Sequence, residues 1–243
     1  MEFREDLIDL LRVAGSVVVV TGSGVSAESG VPTFRGGDGL WRRYRAEDLA
    51  TPQAFSSDPA LVWEWYDWRR GIVAKAKPNP AHEVIADMER YYPDFLLVTQ
   101  NVDGLHRKAG NERMVEIHGN IWRVRCVAEL DERFLYDNPL EVIPPKCECG
   151  SLLRPAVVWF GESLPFEGLT TASEGIQNCE VFLTVGTSGV VYPVASFPML
   201  AKSSGASVVD INKDATPITS IADHTLMGKA GEILPELWRA IKG

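Results

Sequence analysis

Cysteine is scarce in this chain of 243 residues: four occur, at no even spacing. At this size, that excludes a disulfide framework as the source of stability. Also missing is any long apolar run, since the longest falls far short of the roughly 18 residues a membrane span requires. Positive charge is in short supply too, with 24 Lys and Arg against 33 Asp and Glu and a net charge of −9. Nonspecific attachment to phosphate backbones or anionic lipid needs clustered cations, so neither direct nucleic-acid binding nor membrane association is expected. Basic peptides are compatible partners. Internal repeats and low-complexity tracts are absent, and residues 1–12 are acidic and amphipathic. A soluble, cytoplasmic protein is expected.

What is present is an apolar fraction of 45%, enough for a proper core. It is organised as short runs separated by helical stretches: Val17–Val20, Phe95–Thr99, Met114–Ile117, Val181–Val185 and Ala206–Ile211. Continuous rather than alternating hydrophobicity marks strands buried on both faces. The pattern predicts an α/β fold with a parallel sheet between helix layers. Two regions break the rhythm: residues 33–80, with Trp41, Trp63, Trp65 and Trp68, and residues 121–156, with Cys126, Cys147, Cys149 and the adjacent Pro144 and Pro145. They read as insertions forming a smaller second lobe, which leaves 1–32, 81–120 and 157–243 as a discontinuous sheet domain. For the first insertion, a pair of surface helices around a Trp core is the alternative.

The run Val17–Val20 leads into Gly22-Ser23-Gly24-Val25-Ser26-Ala27, and then into Gly30-Val31-Pro32-Thr33-Phe34-Arg35. A strand that ends in Gly-x-Gly-x-x-Ala and opens a helix lets backbone approach a pyrophosphate. The dehydrogenase form of this fingerprint also needs a second strand with a ribose-binding acid roughly 20 residues on. Positions 38–50 carry Asp38, Arg42, Arg43, Arg45, Glu47 and Asp48 in a polar stretch with no such strand. Hydride transfer is disfavoured.

In a doubly wound sheet, ligands bind beyond the carboxyl ends of the strands. Those positions hold Thr21-Gly22, Thr99-Gln100-Asn101-Val102-Asp103, His118-Gly119, Gly186-Thr187-Ser188 and Asn212. Small and amide-bearing, they suit a polar ligand with hydroxyls and phosphates. His118 is the one histidine at a strand end and the side chain able to take a proton near neutral pH. His82 and His106 fall in predicted helices and His224 in a late loop. Asn101 and Asp103 suit a ribose or a water, or simply cap the next helix.

Together with Gln100-Asn101-Val102-Asp103-Gly104-Leu105-His106, His118-Gly119, Phe160-Gly161-Glu162 and Gly186-Thr187-Ser188, the glycine-rich segment resembles the motifs of sirtuins, the NAD-consuming protein-lysine deacylases. The resemblance runs from about residue 10 to 235, with Ser23 where the family usually has Ala. It implies a Rossmann-like domain with a smaller helical and zinc-binding lobe, NAD in the cleft and an acyl-lysine peptide entering as a strand. It further implies that NAD is a co-substrate, and that His118 activates a ribose hydroxyl. Asn101 and Asp103 would hold the nicotinamide-side ribose and carboxamide. Gly22, Ser23, Gly24, Phe34 and Arg35 would form the cofactor loop and phosphate site, with Gln100 beside them. Gly186, Thr187, Ser188 and Asn212 would hold the adenosine half, closed by Ala230. Val157, Val158, Phe160 and Gly161 on one side, and Gly189, Val190 and Val191 on the other, would flank the peptide.

Tyr66-Asp67-Trp68-Arg69 resembles the Tyr-x-x-Arg pair of class III sirtuins, which remove succinyl, malonyl or glutaryl groups. A spacing of three sets both side chains on one helix face, and Arg with a phenol suits a carboxylate in an apolar pocket. Otherwise Tyr66 packs on Trp63 and Arg69 is solvated. The family's zinc site uses two Cys-x-x-Cys pairs, but here Glu129 follows Cys126 at the partner position and the second pair shortens to Cys147-Glu148-Cys149. Cys126, Cys147 and Cys149 form an incomplete set that needs Glu129, water or another group as a fourth ligand. Cys179 reads as a buried core thiol. Deacylation, ADP-ribosyl transfer to protein and noncatalytic binding of NAD or acyl peptide stand as the three functional classes. His118, Asn101 and Asp103 together disfavour the last, and Tyr66 with Arg69 favours the first over the second.

Overall fold

The computed structural model describes residues 3–32, 40–41 and 44–243, with the side chains of residues 40 and 41 left aside. The first half contains α1 (Glu5–Val13), β1 (Ser16–Thr21), α2 (Gly24–Ala27), β2 (Leu40–Trp41), β3 (Tyr44–Arg45), α3 (Ala46–Leu49), α4 (Pro52–Ser57), α5 (Pro59–Val73) and α6 (Pro80–Tyr91). There follow β4 (Asp94–Thr99), α7 (Leu105–Ala109), β5 (Met114–Glu116), β6 (Gly119–Cys126), β7 (Glu132–Phe134) and β8 (Leu153–Val157). The chain closes with α8 (Phe166–Asn178), β9 (Val181–Val185), α9 (Phe197–Ser203), β10 (Ser207–Asn212), β11 (His224–Met227) and α10 (Ala230–Lys242).

Six strands pair in parallel in the order β11-β10-β9-β1-β4-β5. This is the Rossmann-like order, in which the chain starts at the centre, builds one side and then crosses to the other. The valines of β1 show why the strand is buried on both faces. Val17 and Val19 join a core with α1, α6 and α10, while Val18 and Val20 join one with α8 and α9. Each predicted run lies within one or two residues of an observed strand. β11 corrects the expectation for His224, which begins an edge strand rather than lying in a loop. Its four residues are half-buried or exposed and begin with His and Thr, so no apolar run announces them.

β6, β7 and β8 make a three-stranded antiparallel sheet in the order β7-β6-β8, and β2 pairs antiparallel with β3. α5 lays Val62, Trp63, Trp65, Tyr66 and Val73 into a separate core with Ile121, Val124, Leu153 and Trp159. Three helices here start the same way, with Thr51, Asp58 and Asn79 each capping a backbone N–H just ahead of a proline. The cap satisfies an orphan donor and the proline supplies a helical φ at no cost in hydrogen bonds. Among the described residues no helix is long and apolar enough to cross a membrane.

Candidate functional site

The crossover lies between β1 and β9, and there the two strand ends touch through glycine. Gly22 N donates to Val185 O at 3.0 Å and Gly24 N to Gly186 O at 2.9 Å. A Cβ on Gly22 would lie 2.8 Å from Gly186 O, and one on Gly24 2.7 Å from the same oxygen. Gly186 takes φ +60°, and a Cβ there would meet Val25 N at 2.6 Å. No side chain fits between these turns, so bare backbone lines the crevice. Around it, Gln100 Nε2 donates to Thr187 Oγ1 at 2.8 Å and Asn212 Nδ2 to Thr187 O at 2.7 Å. Ser188 and Gly189 continue that loop, and the helix beginning at Ala230 is tied to α2 by Gly231 N donating to Glu28 Oε2 at 2.8 Å. Phe34 and Arg35 lie outside the described residues.

Beneath this crevice runs a buried polar chain. Asn79 N donates to His82 Nδ1 at 3.3 Å, which leaves the proton on Nε2, 3.4 Å from Ser26 Oγ. Ser26 Oγ accepts from Asn101 Nδ2 at 3.1 Å and hydrogen-bonds the Asp103 carboxylate. Asn101 Nδ2 also donates to Gly22 O at 3.1 Å, and Leu105 N to Asp103 Oδ1 at 2.8 Å. Burial pushes the Asp103 carboxyl up, opposed by those bonds and by Arg69. Beside it, Thr21 Oγ1 donates to Thr99 Oγ1 at 2.8 Å and contacts His106 Nε2 at 3.0 Å. Burial lowers His82 to about 4 and His106 well below the ordinary range, so both are neutral near pH 7. Neither histidine was singled out from sequence, because a helical histidine gives no sign of which strand end it faces.

His118 Nδ1 lies 3.0 Å from Gln100 O. A carbonyl only accepts, so Nδ1 carries the hydrogen and Nε2 keeps its lone pair. Burial lowers its pKa, against the Gln100 bond. The ring is thus held as a neutral base. Val158 N donates to His118 O at 2.9 Å and Val157 pairs with Gly119, which sets the Val157–Gly161 segment beside the histidine. Phe160, Val190 and Val191 are exposed.

Tyr66 is buried, edge-on to Trp65 and Trp63, and its oxygen accepts from Trp159 Nε1 at 2.9 Å. Burial raises the phenol to about 12. Trp159 lies under Arg154, 3.5 Å from its ring centre, and Arg154 forks onto Glu162 at 2.6 and 2.9 Å. Arg154 and Trp159 thus belong to the Tyr66 site, and their separation from α5 in the chain hid them. Arg69 sits 5.0 Å from the Trp65 ring, with burial lowering its pKa and Tyr66 and Asp103 raising it. Arg69 is half-buried rather than fully solvated, and Tyr66 does pack on Trp63.

Antiparallel pairing of β6 with β8 brings Cys126 opposite Leu153, next to the turn carrying Cys147 and Cys149. One ligand atom from each of Cys126, Glu129, Cys147 and Cys149 lies within 4.8 Å of the others. Three thiols and a carboxylate at that separation fit a tetrahedral zinc ion. Cys179 is buried outside this cluster, its thiol raised to about 12 by burial.

Comparison with known proteins gives these residues a context. Residues 22–193 match the model of the Sir2 family. An NAD-dependent protein deacylase of Aquifex aeolicus is 55% identical over 92% of this chain and 94% of its own. One from Pyrococcus furiosus is 52% identical, over 96% of each. The structure of a Sir2 homologue in complex with NAD superposes with a TM-score of 0.94 at 47% identity, over 99% of this chain and 94% of that one. A complex of Sir2 with a p53 peptide and NAD+ does so with 0.87 at 30%, over 98% of each chain. The glycine crossover, the neutral histidine and the thiol-bearing lobe are therefore features of a chain that belongs to the Sir2 family.

Proposed function

We propose that this chain removes succinyl and malonyl groups, and acetyl as well, from lysine side chains of proteins and peptides, yielding free lysine, nicotinamide and O-acyl-ADP-ribose. By family and by 55% identity to a deacylase, it is an NAD-dependent protein deacylase. The acidic-acyl preference rests on one observation: Arg69 is a half-buried cation beside Trp65, with Tyr66 and Asp103 near its charge. A carboxylate on the acyl chain offers such a cation a charge-assisted partner, with the Tyr66 phenol beside it.

NAD supplies a glycosidic bond whose cleavage drives the transfer. Gly22, Ser23 and Gly24, with Phe34 and Arg35, bind its phosphates. Gly186, Thr187, Ser188, Asn212 and Ala230 take the adenosine side, with Gln100 between the two sites and donating to Thr187 Oγ1. Asn101 and Asp103, oriented by Ser26, hold the nicotinamide end. His118 Nε2 takes a ribose hydroxyl proton, a role its tautomer favours. The acyl-lysine strand lies between Val157–Gly161 and Gly189–Val191. The test is product analysis by mass spectrometry with NAD and succinyl-, malonyl- and acetyl-lysine peptides. Nicotinamide and acyl-ADP-ribose from all three, with the acidic acyl groups ahead, is the expected result. Acetyl turnover alone would refute the preference, and ADP-ribosylated protein without acyl product would refute deacylation.

A further inference from the structure

We propose that Glu129 supplies the fourth ligand of the zinc site in the lobe built on β6 and β8, so that one carboxylate completes a set of three thiolates. In tetrahedral zinc with Zn–S near 2.3 Å, neighbouring donors stand roughly 3.5–3.8 Å apart. Cys126 Sγ and Cys149 Sγ are 3.6 Å apart, and Cys147 Sγ is 3.8 Å from Glu129 Oε2. All four atoms share one 4.8 Å cluster.

The backbone around the cluster holds the ligands in place. Glu129 N donates to Cys126 Sγ at 3.5 Å, so the turn after β6 brings residue 129 back to the first sulfur. Gly150 N donates to Cys147 O at 2.9 Å and Cys147 N to Ser151 O at 2.8 Å, closing the turn that presents Cys147 and Cys149 from the other side. Charge is also addressed. Three thiolates and a carboxylate leave a dication with an excess of two negative charges, and Arg133 Nη1 donates to Cys147 Sγ at 3.8 Å. Such outer contacts orient and tune metal ligands. The sulfur-rich donor set selects zinc over magnesium or calcium, which prefer oxygen. Glu129, exposed like Cys149, stands where the family's pattern has a thiol, so a carboxylate ligand would be a departure from that pattern.

X-ray absorption at the zinc edge of the full-length protein, with metal analysis, tests this without reference to deacylation. One zinc per chain with three sulfurs and one oxygen is expected, becoming four sulfurs in Glu129→Cys. In competition with a chromophoric chelator, Glu129→Ala should lose at least the 10- to 100-fold in zinc affinity that even an outer-shell partner is worth. A folded protein without zinc, a first shell with two sulfurs or fewer, or unchanged affinity in Glu129→Ala would each overturn the proposal. So would a Cys126–Cys149 disulfide in the freshly purified protein. Should Glu129→Ala fail to fold, the wild-type donor count still decides.

Discussion

The strand ends of the parallel sheet and the lobe around α5 solve opposite problems. At the crossover between β1 and β9, side chains have been removed: Gly22, Gly24 and Gly186 pack backbone on backbone, and the polar groups around them are small. In the lobe, bulk has been added and cations are packed on indoles. Arg69 lies over Trp65, Arg70 between Trp63 and Trp122, and Arg154 over Trp159. Arg70 is the extreme case. It is fully buried, donates only Nε to Ile121 O at 2.9 Å, and is lowered by burial to about 10. Indole faces compensate part of that desolvation. Backbone recognition suits a ligand that never varies, such as a dinucleotide. Side chains that set shape and charge suit one that does, such as an acyl group.

Removing His118 should have the largest effect. His118→Ala is expected to cut deacylation of every acyl peptide by about 10²–10⁴, the range of a lost general base, with NAD binding by calorimetry unchanged. In the wild type the base must be neutral, so the rate falls as pH drops through its pKa. Burial lowers that pKa, so the acid limb of the pH–rate profile should lie below the ordinary histidine value of about 6.5. Next comes Arg69→Met. Loss of a buried charge partner costs about 2 kcal/mol or more, so desuccinylation should fall by about 30-fold or more while deacetylation changes by less than about threefold. Equal losses on both substrates would make Arg69 a structural cation and dissolve the contrast between the two regions.

The two regions also differ in what the sequence discloses. Val17–Val20 and Val181–Val185 are continuous apolar runs, so the strands and the polar residues at their ends were legible from local pattern. The positions of Gly22 and Gly186 were readable for the same reason, although their mutual contact was not. The links that carry the lobe span long stretches of chain. Trp159 Nε1 reaches Tyr66 across 93 residues, and Trp63 Nε1 reaches Leu153 O across 90. Ser26 shows the same limit within the sheet domain. It stands inside the glycine motif, yet its part as the junction of His82, Asn101 and Asp103 appears only when α6 and the β4 end come together. β6 interleaves Asn120, Arg123 and Arg125 with its apolar residues, β7 is three exposed residues and β8 carries Arg154 and Pro155, so no apolar run announces them.

Gly186→Ala tests the crossover through stability. An L-residue at φ +60° costs about 1–2 kcal/mol, and its Cβ would stand 2.6 Å from Val25 N, an approach that backbone must move to relieve. A total near 2–3 kcal/mol lowers Tm by roughly 5–10 °C at this chain length. Calorimetric melting checks this, and NAD affinity should fall with it because the same movement opens the crevice. A melting temperature within a degree of wild type would mean that the two turns have slack, and that their bare backbone is not what fixes the site.

The smallest effect concerns the buried histidines beneath the crevice. His82 is neutral in the folded protein, with its pKa lowered by burial to about 4, whereas the unfolded chain takes up a proton near pH 6.5. Below that value the unfolded state binds more protons than the folded state, so the stability His82 confers is complete at higher pH and is lost as pH falls from about 6.5 toward 4. Each pH unit in that window costs about 1.4 kcal/mol for one such group. Urea unfolding at pH 7.0 and 5.5 should therefore show a loss larger in the wild type than in His82→Gln by about 1.4 kcal/mol. Comparing the two proteins cancels the carboxylates that titrate over the same interval. An identical loss in both would mean that His82 is protonated in the fold, which would put a hydrogen on Nδ1 and remove the bond it accepts from Asn79 N.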